Sequence, residues 1–201
     1  MSECLKYQKP DEQCMINAII SHNIDFVSFL MNEYKMKIDS YYCGIYNNLE
    51  AFFVYFDQTN NFHLCFVYSA IFDIPSLCEY FLSLGADVYD KNSDGDTALH
   101  IAAYYDFKEL AQLLISRRAP INAKNNDKRS PLHYAAYFNS KETAKLLISR
   151  RANVNAKDEY GETPLHIAAY YNSKEVAELL TSHRAVIDEK MEREIPLFRL
   201  Q

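Results

Sequence analysis

Apolar residues in the second half of the chain fall into two patterns that come back at a fixed interval. Leu110, Leu113 and Leu114 stand at i, i+3, i+4, the stripe of a helix with one buried face. The run Leu113-Leu114-Ile115-Ser116-Arg117-Arg118-Ala119 recurs 33 residues later as Leu146-Leu147-Ile148-Ser149-Arg150-Arg151-Ala152. A second run, Thr97-Ala98-Leu99-His100-Ile101-Ala102-Ala103-Tyr104, returns as Ser130 to Tyr137 and again as Thr163 to Tyr170. A unit this short cannot bury its apolar face alone, so the copies must stack and share one extended core.

Each copy predicts two antiparallel helices. Thr97, Ser130 and Thr163 stand where an N-cap hydroxyl satisfies free backbone N–H groups, and Pro131 and Pro164 follow at the first helical position. The paired alanines keep the first helix slim, so neighbouring copies can approach closely. Asp106, Asn139 and Asn172, which tolerate left-handed backbone, break the two helices apart. The second helix ends on Arg117-Arg118 or Arg150-Arg151, cations suited to the negative end of a helix dipole. Walking the interval backwards places Phe66 and Ala70 under Leu99 and Ala103, which defines a degenerate copy. Ala18 to Asn23 and Val27 to Met31 echo the pattern more faintly, so residues 12–60 read as helical pairs with the signature worn down. Phe52, Phe53, Tyr55 and Phe56 make that stretch aromatic, as suits a cap closing one end of the stack. The resulting division is a helical cap over 1–61, a degenerate repeat over 62–91, repeats over 92–124, 125–157 and 158–190, and a stub over 191–201.

These residues resemble the ankyrin repeat: the Thr-Pro-Leu-His and Ala-Ala signatures, the double leucine, the Ala-Asn-Val-Asn turn at Ala152 to Asn155, and the period. The first 60 residues are similar to the uncharacterised N-terminal region that precedes ankyrin arrays in a large family of protist proteins. The resemblance implies an all-α solenoid of L-shaped units, each a helix pair with a projecting β-hairpin-like loop. It also implies a curved stack whose inner helices and loop tips hold partner proteins. Two features depart from the family. Its glycine after the second helix is kept as Gly85 but replaced by Arg118, Arg151 and Arg184, and its loop glycine is kept as Gly95 and Gly161 but replaced by Lys128.

Composition narrows the function. Residues 1–90 hold 4 Lys and Arg against 12 Asp and Glu, and residues 91–201 hold 17 against 15, for a net charge of −6. An acidic first half and a near-neutral second half repel nucleic acid. The start lacks the basic-then-apolar pattern of a signal peptide and no apolar run reaches membrane-spanning length, so neither membrane nor export is expected. The five cysteines are odd in number and never spaced as a ligand pair. An intracellular, cytoplasmic protein without metal or cofactor is the expectation. The run Ile195-Pro196-Leu197-Phe198 begins a further copy just before Gln201. The expectation there is a truncated array, with self-association through an uncapped C-terminal end as the alternative.

No catalytic constellation emerges: there is no nucleophile elbow and no phosphate-cradling loop. An enzyme would need a cleft in the first 60 residues where Cys14 or Cys43 met His22 and a carboxylate. His100, His133 and His166 recur one per copy and cannot converge on one ion. The resemblance makes them, with Thr97, Ser130 and Thr163, hydrogen-bonding groups near the loop. The resemblance also places Tyr104 and Tyr105, Tyr137 and Phe138, and Tyr170 and Tyr171 on the concave groove, where aromatic side chains anchor interfaces well. The other reading of these rings is that they pack on one another between copies, and the sequence leaves both open. Loop tips differ more between copies, and Asp94 and Asp96, Asp127 and Arg129, and Tyr160 and Glu162 are the candidate specificity positions there. A protein partner of unspecified identity is therefore the expected ligand.

Overall fold

The computed structural model describes residues 9–186, which form twelve α-helices arranged as six antiparallel pairs. The pairs are α1 (Glu12–Ile20) with α2 (Ile24–Tyr34), α3 (Ser40–Ile45) with α4 (Leu49–Thr59), and α5 (Phe62–Ser69) with α6 (Pro75–Ser83). They continue as α7 (Ala98–Tyr104) with α8 (Lys108–Ser116), α9 (Pro131–Tyr137) with α10 (Lys141–Ser149), and α11 (Pro164–Tyr170) with α12 (Lys174–Ser182). A short 3₁₀ turn, Ala70–Phe72, extends α5. First helices pack on first helices from α1 through α11, and second helices on second helices in a parallel row. The result is the all-α repeat fold.

The local chemistry repeats with the packing. In every pair the residue between the helices is left-handed: His22, Asn47, Asp73, Asp106, Asn139 and Asn172 have φ between 51° and 59°. The next N–H then donates to a carbonyl five residues back, as Asn23 to Ala18, Asn48 to Cys43, Phe107 to Ala102, Ser140 to Ala135 and Ser173 to Ala168. These bonds close carbonyls that the helix end would otherwise leave bare. The N-terminal pairs also share the cross-pair bond of the later copies. Asn48 Nδ2 donates to the Ile19 carbonyl at 2.9 Å, as Ser140 and Ser173 hydroxyls donate to the Tyr104 and Tyr137 carbonyls. By backbone chemistry α1 to α4 belong to the same stack.

What the N-terminal pairs lack is the loop. Residues 35–39 and 60–61 join them directly, whereas 84–97, 117–130 and 150–163 carry projecting turns. Each turn is closed by two backbone bonds: the N–H groups of Asn92, Asn125 and Asp158 donate to the carbonyls of Asp96, Arg129 and Glu162, and those of Gly95, Lys128 and Gly161 donate back to Asn92, Asn125 and Asp158. Neighbouring tips are tied by Asn126 N–H to Asp94 carbonyl and Glu159 N–H to Asp127 carbonyl. The loops are hairpin-like in bonding, although no strand is assigned among the described residues.

The aromatic stretch of α4 packs inward, towards the following pair. Phe52 is buried against Phe72 and Phe81, Phe56 packs on Phe81, and Phe53 meets Tyr80. Rings of this size fill the gap between two helix rows, so α4 lies between α2 and α6, and α1 with α2 is the first pair of the described residues. Leu110 and Leu114 are fully buried and Leu113 only partly, with Ala111 completing the stripe. The stub over 191–201, and with it the surface for C-terminal self-association, lies outside the described residues.

Candidate partner-binding groove

The first helices of the three clear copies end on their aromatic pairs, and these rings join into one continuous ladder. Tyr105 meets Tyr104 with centroids 4.5 Å apart, and Tyr104 meets Phe138 of the next copy at 3.8 Å. Phe138 meets Tyr137 at 4.4 Å, Tyr137 meets Tyr171 at 3.9 Å, and Tyr171 meets Tyr170 at 5.0 Å. The two readings of these rings are therefore not exclusive. They pack between copies, and they also stay partly open: Phe138 is 41% exposed and Tyr170 68%. Exposure rises from the half-buried Tyr104 towards Tyr170.

Two hollows lie between the ladder and the loops. The first, about 390 Å³, opens between the tip residues Asn92, Ser93 and Asp94 and the rings of Tyr68, Tyr104 and Tyr105. The second, about 240 Å³, lies one copy further along beside Arg129, Tyr134 and Tyr137. The first hollow thus has polar loop tips on one side and aromatic helix ends on the other, and the second has Arg129 beside the aromatic rings.

The loop residues divide into free tips and braces. Asp94, Asp127 and Tyr160 are exposed. Asp96 is not: it is 7% exposed, and its carboxylate accepts from the Tyr134 hydroxyl at 2.8 Å and from Asn125 Nδ2 at 2.9 Å. Burial raises its pKa, while the hydrogen bonds from Tyr134 and Asn125 oppose that rise. Arg129, at the equivalent position, pairs through Nε with the buried Asp158 at 3.3 Å. Glu162 is partly buried and its carbonyl faces His133 Nε2 at 3.3 Å. The variation at Asp96, Arg129 and Glu162 thus follows what each loop must hold, and for Asp96 and Arg129 the partner is a side chain of the next copy. These positions brace the wall of the groove.

The histidines pin the loops to the helices. His100 Nδ1 accepts from the Thr97 N–H at 3.1 Å, so its proton sits on Nε2, which donates to the Arg129 carbonyl of the next copy at 3.1 Å. His133 does the same between Ser130 and the Glu162 carbonyl, and His166 Nδ1 accepts from the Thr163 N–H at 3.2 Å. Each cap hydroxyl, of Thr97, Ser130 and Thr163, lies within 2.9 Å of the same Nδ1. Burial lowers the pKa of His100 and of His133 to about 4, holding both neutral.

The thiols of Cys43, Cys65 and Cys78 sit in the apolar core, with Cys78 Sγ 3.1 Å from the Ser69 hydroxyl. Cys43 and Cys65 are fully buried, and burial pushes both up to about 12, the reverse of what a nucleophile needs. Among the described residues no His, Cys, Asp and Glu group has the geometry to hold a metal ion, and no helix is long and apolar enough to cross a membrane.

Sequence reasoning missed Tyr41, Tyr68, Tyr134 and Asp39, all of which line the first hollow. A signal existed for two of them. Tyr68, Ile101, Tyr134 and Ile167 share one register, and the alternation of Tyr with Ile marks a position released from a uniform packing role. Tyr41 and Asp39 lie ahead of the clear repeats and had no register to betray them.

A stack of helix pairs with hairpin-like loops and capping-box histidines defines a helical repeat protein. The comparisons give its kind. The family model described as ankyrin repeats in three copies matches residues 66–158 and 119–191, more than half of the chain. The chain belongs to the ankyrin-repeat family. Residues 1–55 match a family described as a domain of unknown function, DUF3447, so that domain precedes the repeats here. No curated protein matches the chain. Ankyrin repeats are generally protein-interaction modules and are typically non-catalytic.

Proposed function

We propose that this protein is a non-catalytic binding module that holds a partner polypeptide in the groove between the aromatic ladder and the loop tips. The observation that carries the reading is the ladder itself. Six rings contributed by three copies run in unbroken contact, yet keep enough exposure to bury more surface on docking. Rings already held by their neighbours lose little freedom when a partner arrives, so more of the burial energy becomes affinity. Tyr170 and Tyr171 act as anchors, and Asp94, Asp127 and Tyr160 screen what approaches along the tips. Unpaired thiols at Cys14, Cys43, Cys65 and Cys78 favour a reducing, cytoplasmic setting for this work.

The test is affinity capture from native extract with wild type, a Tyr104→Ala/Tyr137→Ala/Tyr170→Ala variant, and Tyr170→Glu alone. Because Tyr104 and Tyr137 also pack between copies, circular dichroism must show the triple variant folded. The single variant guards against ambiguity, since Tyr170 is the most exposed of the six. A protein captured by wild type, lost in the triple variant and reduced severalfold in Tyr170→Glu supports the reading. Equal capture by all three folded proteins contradicts it.

A further inference from the structure

We propose that the first hollow is a receptor for a cationic side chain, arginine foremost, presented by a basic segment of the partner protein. The inference rests on the groove reading above and specifies the chemistry of what the groove holds.

Two kinds of group dominate the lining of the hollow. Five tyrosines line it: Tyr41 from α3, Tyr68 from α5, Tyr104 and Tyr105 at the end of α7, and Tyr134 from α9. Three carboxylates accompany them, Asp39, Asp94 and Asp96, and no Lys, Arg or His is part of the lining. Asp96 is committed to Tyr134 and Asn125. Asp39 caps α3 by accepting from the Tyr41 N–H at 2.8 Å, and is in no ion pair among the described residues. Within the same residues the Asp94 carboxylate takes part in no hydrogen bond or ion pair. Its exposed tip therefore brings an uncompensated charge to the mouth.

The phenols feel these charges. Tyr41 and Tyr68 have pKa values raised by burial first and by the Asp39 and Asp94 carboxylates in addition. A further acid or a phosphate entering here would meet the same repulsion. A purely apolar side chain would leave the carboxylates facing it unpaired. A guanidinium satisfies both walls, stacking on tyrosine faces while donating to the carboxylates. Tyr68, only 9% exposed, supplies a wall that is already desolvated. The second hollow differs in kind, because Arg129 lines it. The groove is thus acidic at its N-terminal end, which orients a basic segment along it.

The experiment uses the full chain and a short fluorescein-labelled peptide of alternating arginine and glycine, with the glutamate-glycine counterpart as negative probe. Binding is followed by anisotropy for wild type, for Asp39→Asn/Asp94→Asn, and for Glu33→Gln/Asp57→Asn. Both doubles change net charge equally, and the second removes exposed acids from α2 and α4, in the other row of helices. Asparagine also caps helices well, so Asp39→Asn keeps α3 in place. The expected result is binding of the arginine peptide alone, weakened at least fivefold by the first double and less than twofold by the second. Equal weakening by both doubles would reduce the effect to net charge and overturn the proposal. So would absence of arginine-peptide binding, or equal binding of the glutamate peptide. The capture experiment does not depend on partner charge, so it judges the groove separately.

Discussion

Arg118 and Arg151 hold φ of 69° and 67°, and Arg184 holds 65°, at the position where Gly85 takes 106°. A β-carbon in left-handed backbone crowds the following carbonyl, at about 1–2 kcal/mol per residue. Glycine relieves that crowding but loses more freedom on folding. Arg118→Gly and Arg151→Gly are therefore each expected to stabilise the protein by about 0.5–1 kcal/mol net, read as a rise in the urea midpoint. Thr143 poses a different problem. Its hydroxyl is buried and has no hydrogen-bond partner, while the same register carries Leu110 and Val176. Thr143→Val keeps the shape and removes the unsatisfied group, so a gain of roughly 1 kcal/mol in the same measurement is expected.

At the scale of elements, α3 and the 3₁₀ turn approach each other closely at Gly44. A β-carbon on Gly44 would come within 2.9 Å of Ile71 Cβ, an atom fixed to the backbone. Gly44→Ala should therefore destabilise by about 1–3 kcal/mol, despite the better helix propensity of alanine. Chemical denaturation monitored by circular dichroism would show it as a lowered midpoint. This contact also marks the limit of what the sequence discloses. The helix pairs from α5 onward were legible because a 33-residue period puts leucine, alanine and proline in register. The pairs α1 to α4 are legible as helices, but the depth of the α4 rings is not, since Phe52 and Phe56 pack inward on Phe72 and Phe81. The ring contact between Tyr41 on α3 and Tyr68 on α5 depends on how those helices stack, and periodicity carries no such information. Tyr41 and Asp39 were invisible for that reason. Asp96 was misjudged because exposure and bracing look alike in a varied loop.

At the scale of the whole molecule, two loops are pinned to the helices by the neutral buried histidines His100 and His133, which gives stability a defined pH dependence. The pKa of His100 and of His133 is lowered to about 4 in the fold, against about 6.5 when exposed. The unfolded chain thus binds more protons between those values, and stability falls as pH drops from about 6.5 to about 4. Urea midpoints near pH 7.5 and pH 5 should differ, and the difference should shrink in a folded His133→Gln variant. An unchanged difference would assign the acid sensitivity to other groups. The same pins hold the loop tips opposite the aromatic ladder, so the proposed binding surface would exist before any partner arrives. The most direct test of that claim places the photo-crosslinker p-benzoylphenylalanine at Tyr170 in one protein and at the exposed Lys145 on α10 in another. On irradiation in native extract, the account predicts a discrete crosslinked partner from the Tyr170 position and none from Lys145. A partner caught only from Lys145 would put the interface on the second row of helices and contradict it.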